Sequence, residues 1–285
     1  MSAVKAAAAA SRLLVISRGA GAVTPDFEAR LRAAFADHLV VDFDPELEFE
    51  QLITPRARVV IAGGDGSVEF MVRRLADSRH PVGILPLGTF NNFARALGLP
   101  LEVDDAIAVA RGGHARQITL GRVNGNVFVE ACAIGLFGET IALGDAAKDM
   151  EFGALPGMLR NVIAAKRFQY ELSGDLEGSG SAMSLVFSNT ASIGSLIAVG
   201  DATPSNPYLE FSVHAGRTRT DIVGRAIASA LLKHKEDGAA QVFRFTRLQV
   251  KTRPRVRLYS DNFQVGRTPA TITAEASALK VLLPR

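Results

Sequence analysis

The run ARVVIAG (57–63) has no polar residue after Arg58, and GDGS (64–67) follows it at once. A strand without polar alternation has no face to show to water, so it belongs inside a sheet covered on both sides. The next segment, SVEFMVRRLAD (67–77), places Val68, Met71, Val72 and Leu75 on one side, the spacing of a helix lying on such a sheet. The same alternation fills the first 110 or so residues. RLLVIS (12–17), VVDF (40–43) and PVGILPL (81–87) read as strands. PDFEARLRAAFADHL (25–39) carries Phe27, Leu31, Ala34, Phe35 and His38 at helical spacing behind Pro25, and NNFARALGL opens another helix. Strands alternating with helices predict a parallel sheet with covering helices.

The pattern changes near residue 114. ARQITLGRV and NVFVEACAI flank Asn124-Gly125, a strong hairpin signal. Strand-like runs recur at 168–173, 183–188, 208–213, 241–251, 255–259 and 270–274, with helical patterns near 154–167 and 219–235. The expected organisation is an α/β domain over 1–114, with 275–285 packing back on it, and a mainly antiparallel β domain over 115–274.

Composition narrows the function classes. With 285 residues, 48% of them hydrophobic, the chain is long enough for two cores. A single cysteine, Cys132, excludes an internal disulfide framework and multi-cysteine metal sites. The five histidines show no i, i+3 or i, i+4 pair of the kind that builds a zinc helix motif. No stretch reaches the 18 or so apolar residues of a membrane helix. The alanine-rich start, with Lys5 and Arg12, reads as a frayed end rather than a signal peptide, so a cytoplasmic protein is expected. Charge is uneven: residues 1–110 hold 11 Lys and Arg against 14 Asp and Glu, whereas 217–257 hold 11 against 3. A basic block suits an anionic partner, such as a membrane face or phosphate groups, and equally a plain solvated surface.

The candidate chemistry lies in the turns. In GGDGS, Gly63, Gly64 and Gly66 remove Cβ atoms and permit positive φ, so backbone N–H groups can approach an anion at a helix N-terminus. Ser67 can cap that helix or touch a phosphate. Asp65 would repel a bare phosphate, which predicts either a water- or metal-mediated role or bonds to backbone donors. A second loop, LPLGTFNNFARALGLP (85–100), turns at Gly88-Thr89 and places Asn91 and Asn92 at the start of its helix. Two such loops at the C-terminal ends of neighbouring parallel strands would line one crevice. A third, weaker candidate is SRGAG (17–21), with Ser17 and Gly19. There is no G-x-x-x-x-G-K-[ST], and Thr24 stands where a dinucleotide fingerprint would have its third glycine.

Together, GGDGSVEFMVRRL and GILPLGTFNNFARALGLP resemble the catalytic domain of the diacylglycerol kinase and sphingosine kinase superfamily, in its bacterial soluble lipid kinase branch. RVNGNVFVEACAIGLFGE (122–139), DATPSNPYLEFSV (201–213) and SDNFQVGRTPA (260–270) resemble later segments of that family. The resemblance implies an NAD-kinase-like α/β domain with a parallel sheet, followed by a mainly antiparallel β-sandwich. It implies transfer of the γ-phosphate of ATP, with Mg²⁺, to a lipid hydroxyl such as that of diacylglycerol. It assigns Gly63, Gly64, Asp65, Gly66 and Ser67 to the nucleotide phosphates, joined by Gly88, Thr89, Asn91 and Asn92 and by Ser17 and Gly19 of the first loop. It assigns Asp261 to catalysis and leaves the metal ligands unknown. The implied partner is a lipid substrate at a membrane surface, met by peripheral contact at the inner face. No nucleic acid is expected, and the oligomeric state, a dimer included, stays open.

The chain also departs from that pattern. The family's late Asp-Gly-Glu motif reads Asp261-Asn262-Phe263 here, and phenylalanine can neither accept a proton nor hold a metal. Asn92 stands where the second loop usually has aspartate, and Asn206-Pro207 where the family has Asp-Gly, although Asp201 remains. Ser17-Arg18 replaces the more usual Asn-Pro. Two readings therefore stand: an active lipid kinase, and a nucleotide- or lipid-binding relative with little or no turnover. Three further features accompany them. Lys251, Arg253, Arg255 and Arg257 share one strand face, with Pro254 suggesting an edge strand or bulge. Cys132 reads as core. The segment 141–168, with Met150, Phe152, Leu155, Met158 and Leu159, reads as a core helix or as an apolar acceptor groove, with Glu139 and Asp145 beside it.

Overall fold

A computed structural model describes residues 9–18, 24–140, 165–193, 197–198, 200–215, 241–261 and 263–285. The chain divides into two compact units. One comprises Met1–Ile118 with Ser277–Arg285, the other Thr119–Ala276.

The first unit alternates as its sequence predicts: β1 (Ala10–Ile16), α1 (Pro25–Ala34), β2 (Leu39–Asp42), β3 (Ile53–Gly63), α2 (Asp65–Leu75), β4 (Pro81–Pro86), α3 (Asn92–Ala96) and α4 (Val103–Gly112). The strands pair in parallel in the order β2-β1-β3-β4, and beyond β4 the late strand Ala270–Leu283 adds Lys280 and Val281 beside Pro81 and Val82. Val59 through Gly63 are all buried, as an apolar run without alternation requires. α1 starts where Thr24 accepts the N–H of Phe27 at 3.3 Å and Pro25 takes the first turn. Its Leu31 packs with Leu14, Ile16, Val60, Leu85, Ala106 and Ala110 in one core. At its start β3 departs from regular pairing. Ala10 faces Ile53, but Arg12 already faces Arg58, so residues 54–57 form a bulge, with Pro55 and Arg56 exposed.

The second unit packs two large sheets as a sandwich and carries a separate two-stranded sheet of Ser192–Ile193 with Ile197–Ala198. Its strands are β5 (His114–Val123), which begins in the first unit, β6 (Asn126–Phe128), β7 (Ala131–Gly135), β8 (Phe168–Gly174), β9 (Gly178–Ala182), β10 (Ser184–Ser188), β11 (Ser192–Ile193), β12 (Ile197–Ala198), β13 (Leu209–His214), β14 (Val242–Phe245), β15 (Arg247–Arg253), β16 (Arg257–Ser260), β17 (Phe263–Arg267) and β18 (Ala270–Leu283). One layer runs β18-β15-β8-β9, all antiparallel. β5 pairs β18 and turns through Asn124 (φ 49°) and Gly125 (φ 87°) into β6, the hairpin that Asn-Gly predicts. The other layer runs β14-β13-β10-β7-β16-β17, also antiparallel. Phe168, Leu248, Val250 and Ile272 from the first layer meet Ile134, Phe187, Phe211 and Leu258 from the second.

Several expectations change. NVFVEACAI is not one strand: it breaks after Phe128, and Ala131–Gly135 joins the other sheet. β15 is not an edge, because it pairs with both β18 and β8. The basic row is broken as well. Lys251 and Arg253 lie in β15, Arg255 lies beyond its end, and Arg257 opens β16 in the opposite sheet. β9, GSGSA, and β17, FQVGR, carry too little apolar alternation to be read as strands from sequence. The helical pattern at 219–235 and nearly all of that at 154–167 lie outside the described residues, as do most of the proposed groove at 141–168 and five cations of the 217–257 block.

Candidate functional site

In the first unit the two glycine loops sit side by side at the C-terminal ends of β3 and β4, which are parallel neighbours. Leu87 N–H donates to the Gly63 carbonyl at 2.9 Å and so ties the second loop to the first. The helix α2 begins at Asp65, two residues earlier than its apolar spacing indicates, with Gly64 as its N-cap. Its first i→i−4 bond runs from Val68 N–H to Gly64 C=O at 3.0 Å. The amides of Gly66 and Ser67 therefore belong to the helix's free N-terminal end, where the dipole is positive.

Asp65 is the joint between the loops. Its Oδ2 accepts the Asn91 N–H at 3.0 Å and its Oδ1 the Asn92 N–H at 2.9 Å. Bonding to backbone donors, one of the roles open to it from sequence, is observed. Two charge-assisted bonds of this kind are each worth about 1.5–3 kcal/mol. They satisfy the first amides of α3 and occupy the loop's one negative charge, which would otherwise oppose an anion. Asn91 is buried and left-handed, with φ 51°, a conformation asparagine tolerates better than most residues. Its side chain folds back on the turn: Oδ1 accepts Gly88 N–H at 2.9 Å and Nδ2 donates to Gly88 C=O at 2.8 Å.

The glycines work by absence of bulk, not by unusual backbone. None of Gly63, Gly64, Gly66 and Gly88 has a left-handed φ, contrary to the expectation from sequence. A Cβ on Gly88 would come within 2.9 Å of Gly64 Cα and 3.1 Å of Asp65 N. A Cβ on Gly63 would press on the Cβ atoms of Ser67 and Ser17 at 3.0 and 3.1 Å, and those two residues share a hydroxyl bond of 2.8 Å. Gly66 differs: among the described residues, a Cβ there meets nothing within 4 Å. Packing among the described residues does not call for a glycine here, and room beside the first turn of a helix lets an anion approach its free amides. Thr89 lies exposed on the rim. Ser17 joins the cluster through Ser67, and Gly19 lies outside the described residues.

The candidate catalytic residue sits in the second unit. Asp261 is 5% exposed, with φ 50°. Its Oδ2 accepts Val129 N–H at 2.9 Å, and its Oδ1 accepts Glu130 N–H at 2.8 Å and Ala131 N–H at 3.0 Å. Asn189 grips the same turn from the other side, donating Nδ2 to the carbonyls of Val129 (3.1 Å) and Thr119 (3.0 Å). This constellation crosses more than a hundred residues of sequence, so no local motif announces it. Phe263, in the glutamate position of the family motif, is 54% exposed at the start of β17.

Two further features clarify the sequence candidates. Glu139 is buried and accepts bonds from Arg257 Nη1 at 2.9 Å and Tyr259 Oη at 2.7 Å. Burial, followed by the hydrogen bond to Glu139, pushes the Tyr259 hydroxyl well above its usual range, and the hydrogen bond to Glu139 raises Arg257. Arg257 thus serves this cluster rather than a basic surface. Asn206 closes its own turn, with Oδ1 accepting Thr203 N–H at 3.1 Å, while Asp201 donates its N–H to Glu210 at 2.8 Å. Cys132 is fully buried and its thiol is pushed up by burial and then by Asp261, as a core residue and not a nucleophile. Among the described residues no three His, Cys, Asp or Glu side chains cluster as a metal site would need.

Residues 19–123 match the diacylglycerol kinase catalytic domain. The diacylglycerol kinase of Bacillus subtilis (strain 168) is 42% identical over 80 residues, which is 27% of this chain and only 26% of that protein's length. Among solved structures, a diacylglycerol kinase from Bacillus anthracis str. Sterne superimposes with a TM-score of 0.72 at 19% identity, covering 95% of this chain and 96% of that one. An NAD kinase from Archaeoglobus fulgidus, solved in complex with ATP, gives 0.55 at 14% identity over 96% and 93% of the two chains. The fold is that of the diacylglycerol and NAD kinases.

Proposed function

We propose, from the match of residues 19–123 to the diacylglycerol kinase catalytic domain, that the protein transfers the γ-phosphate of ATP to a lipid hydroxyl, with diacylglycerol the first acceptor to try. The observation that carries this reading is the pairing of Asp65 with Gly66. The carboxylate is taken up by the amides of Asn91 and Asn92, and the next residue leaves room beside the first turn of α2 among the described residues. A phosphate chain there meets N–H donors and a helix dipole rather than a bare negative charge. In this reading Gly63, Gly64 and Gly88 let the loops approach one another, Ser17, Ser67 and Thr89 offer hydroxyls, and Asn91 holds the second loop in shape. Phosphoryl transfer then depends on positioning and on neutralising charge. Mg²⁺ would arrive on the nucleotide and supply that neutralisation.

A specific pair of observations favours a second reading, a nucleotide-binding relative with little turnover. The Asp261 carboxylate already serves three backbone donors, and Phe263 fills the place of the motif's glutamate. In the kinase reading Asp261 acts by fixing the turn 129–131. The lipid acceptor is met at a membrane surface by peripheral contact; no helix among the described residues is long and apolar enough to cross a bilayer. The exposed Arg247, Lys251 and Arg253 on one face of β15 offer charge for such contact.

The test is incubation of the pure protein with labelled ATP, Mg²⁺ and mixed micelles containing diacylglycerol, beside a Gly66→Val variant that fills the cradle. Labelled lipid product that falls at least tenfold in the variant supports the kinase reading. Stabilisation by ATP without product selects the second reading. Absence of both product and ATP stabilisation overturns both.

A further inference from the structure

Among the described residues, six other than glycine have left-handed φ: Arg56, Asp77, Asn91, Asn124, Asp261 and Ser277. Asn124 belongs to a hairpin turn, and Asn91 and Asp261 belong to the sites already described. The remaining three, Arg56 (64°), Asp77 (63°) and Ser277 (64°), converge on one cavity of about 480 Å³ in the first unit. Each such residue costs roughly 1–2 kcal/mol against a regular conformation, and strain of this kind collects at functional sites.

The cavity is built by independent pieces of chain. The bulge at 54–57 of β3 carries Arg56 outward. Asp77 follows the end of α2 and donates its N–H to the Ala278 carbonyl at 2.7 Å. Arg79 leads into β4. Lys280 stands beside Pro81 in the neighbouring strand. Gln117 pins the Ser277 kink: with its amide turned to satisfy its neighbours, the nitrogen donates to the carbonyls of Ser277 and Leu279, both at 3.2 Å. Arg56, Arg79 and Lys280 line the cavity, have no ion-pair partner among the described residues, and face one carboxylate, Asp77. This is the N-terminal end of the parallel strands. The glycine loops lie at the other end, roughly 16 Å away along the six residues of β4.

We propose that this cavity binds a phosphomonoester group at a site separate from the nucleotide loops. Two guanidinium groups, one ammonium and the Ser78 and Ser277 hydroxyls match a tetrahedral dianion, with arginine forks suited to paired phosphate oxygens. The ligand's charge would offset the repulsion among three cations. The volume admits more than the phosphate itself, and Arg56, Arg79 and Ser277 are exposed, so both a small phosphorylated solute and a phosphorylated lipid headgroup can reach it.

The test compares the full chain with Arg79→Glu/Lys280→Glu and Arg79→Gln/Lys280→Gln, the second pair guarding against misfolding of the first. Thermal melts are run with inorganic phosphate and glycerol 3-phosphate, with saturating ADP present to occupy the glycine loops. Sedimentation is run with phosphatidylcholine vesicles, with and without phosphatidic acid. The expected result is a phosphate-dependent rise in melting temperature, or phosphatidic acid-dependent sedimentation, with at least tenfold weaker response in both variants. Loss confined to the soluble phosphates identifies a solute site, and loss confined to vesicles a headgroup site. Equal responses in wild type and variants, or no response of the wild type to any of these probes, overturns the proposal.

Discussion

The carboxylate of Asp65 accepts the backbone N–H of Asn91 at 3.0 Å, joining two loops that lie 26 residues apart in sequence. With Asn92 N–H at 2.9 Å on the other oxygen, the bond makes one rigid surface from GGDG and LGT-x-N. Asp65→Asn keeps one acceptor and turns the other position into a donor facing a donor. It should cost about 1–3 kcal/mol in denaturant unfolding, and Asp65→Ala at least as much. ATP stabilisation in a thermal melt should fall in both. Unchanged unfolding midpoints would show that the clamp carries no energy.

Gly66 and Gly88 should separate binding from folding. Gly66→Ala adds a Cβ into open space within the first turn of a helix, where alanine is preferred by about 0.5–1 kcal/mol. The variant should be as stable as wild type or more so, yet bind ATP several-fold more weakly. Gly88→Ala forces a Cβ against the backbone of Gly64 and Asp65 and should lose about 1–3 kcal/mol. Calorimetric titration with ATP, read beside melting curves, checks both.

Asp261→Ala strips a buried carboxylate from three amides, those of Val129, Glu130 and Ala131. The orphaned donors should destabilise the protein by on the order of 3 kcal/mol or more. Asp261→Asn, which retains one carbonyl oxygen, should lose less. Urea unfolding ranks the two, and a loss of activity that merely tracks stability would assign Asp261 to structure rather than to chemistry.

Two histidines should make stability depend on pH. Burial, then the charges of Arg12, Arg58 and Arg111, lowers His38 to about 4, and burial lowers His214 to about 4. Asp37 bonds Nδ1 of His38, and His214 lies against the Phe137 ring with Ser212 on Nε2. The unfolded chain takes up protons at both positions below about pH 6.5, whereas the folded chain does so only near 4. Stability is therefore full above pH 6.5 and falls as pH drops toward 4, by up to on the order of 3 kcal/mol per histidine. NMR titration of the imidazole resonances should find both unshifted between pH 7.5 and 5.5.

Much of this was legible in the sequence because period and turn chemistry are local. The buried run 57–63, the α1 stripe and Asn124-Gly125 each announced their structure. The glycine loops announced their place at strand ends, but not how they hold together. Spacing cannot show that Asp65 reaches the next loop, nor that Asn91 takes the left-handed conformation while the glycines do not. The Asp261 network and the Glu139–Arg257–Tyr259 cluster join segments more than a hundred residues apart. The basic row misled for a related reason. Alternation was read through Pro254 as though one strand continued, but the chain there passes from one sheet to the other.

The strand Ala270–Leu283 supplies the first unit with Lys280 and Val281 beside β4 and with the buried Leu279, Leu282 and Leu283. Synthesis proceeds from the other end. A nascent chain will have completed both glycine loops long before this strand exists, yet β4, paired with β3, still lacks its neighbour on the other side. The unit encoded first is thus closed by the end of a strand, from Ser277 on, made after the whole of the second unit. A ribosome stalled before residue 277 should hold a first unit that proteases cut readily, and release of the last strand should confer resistance.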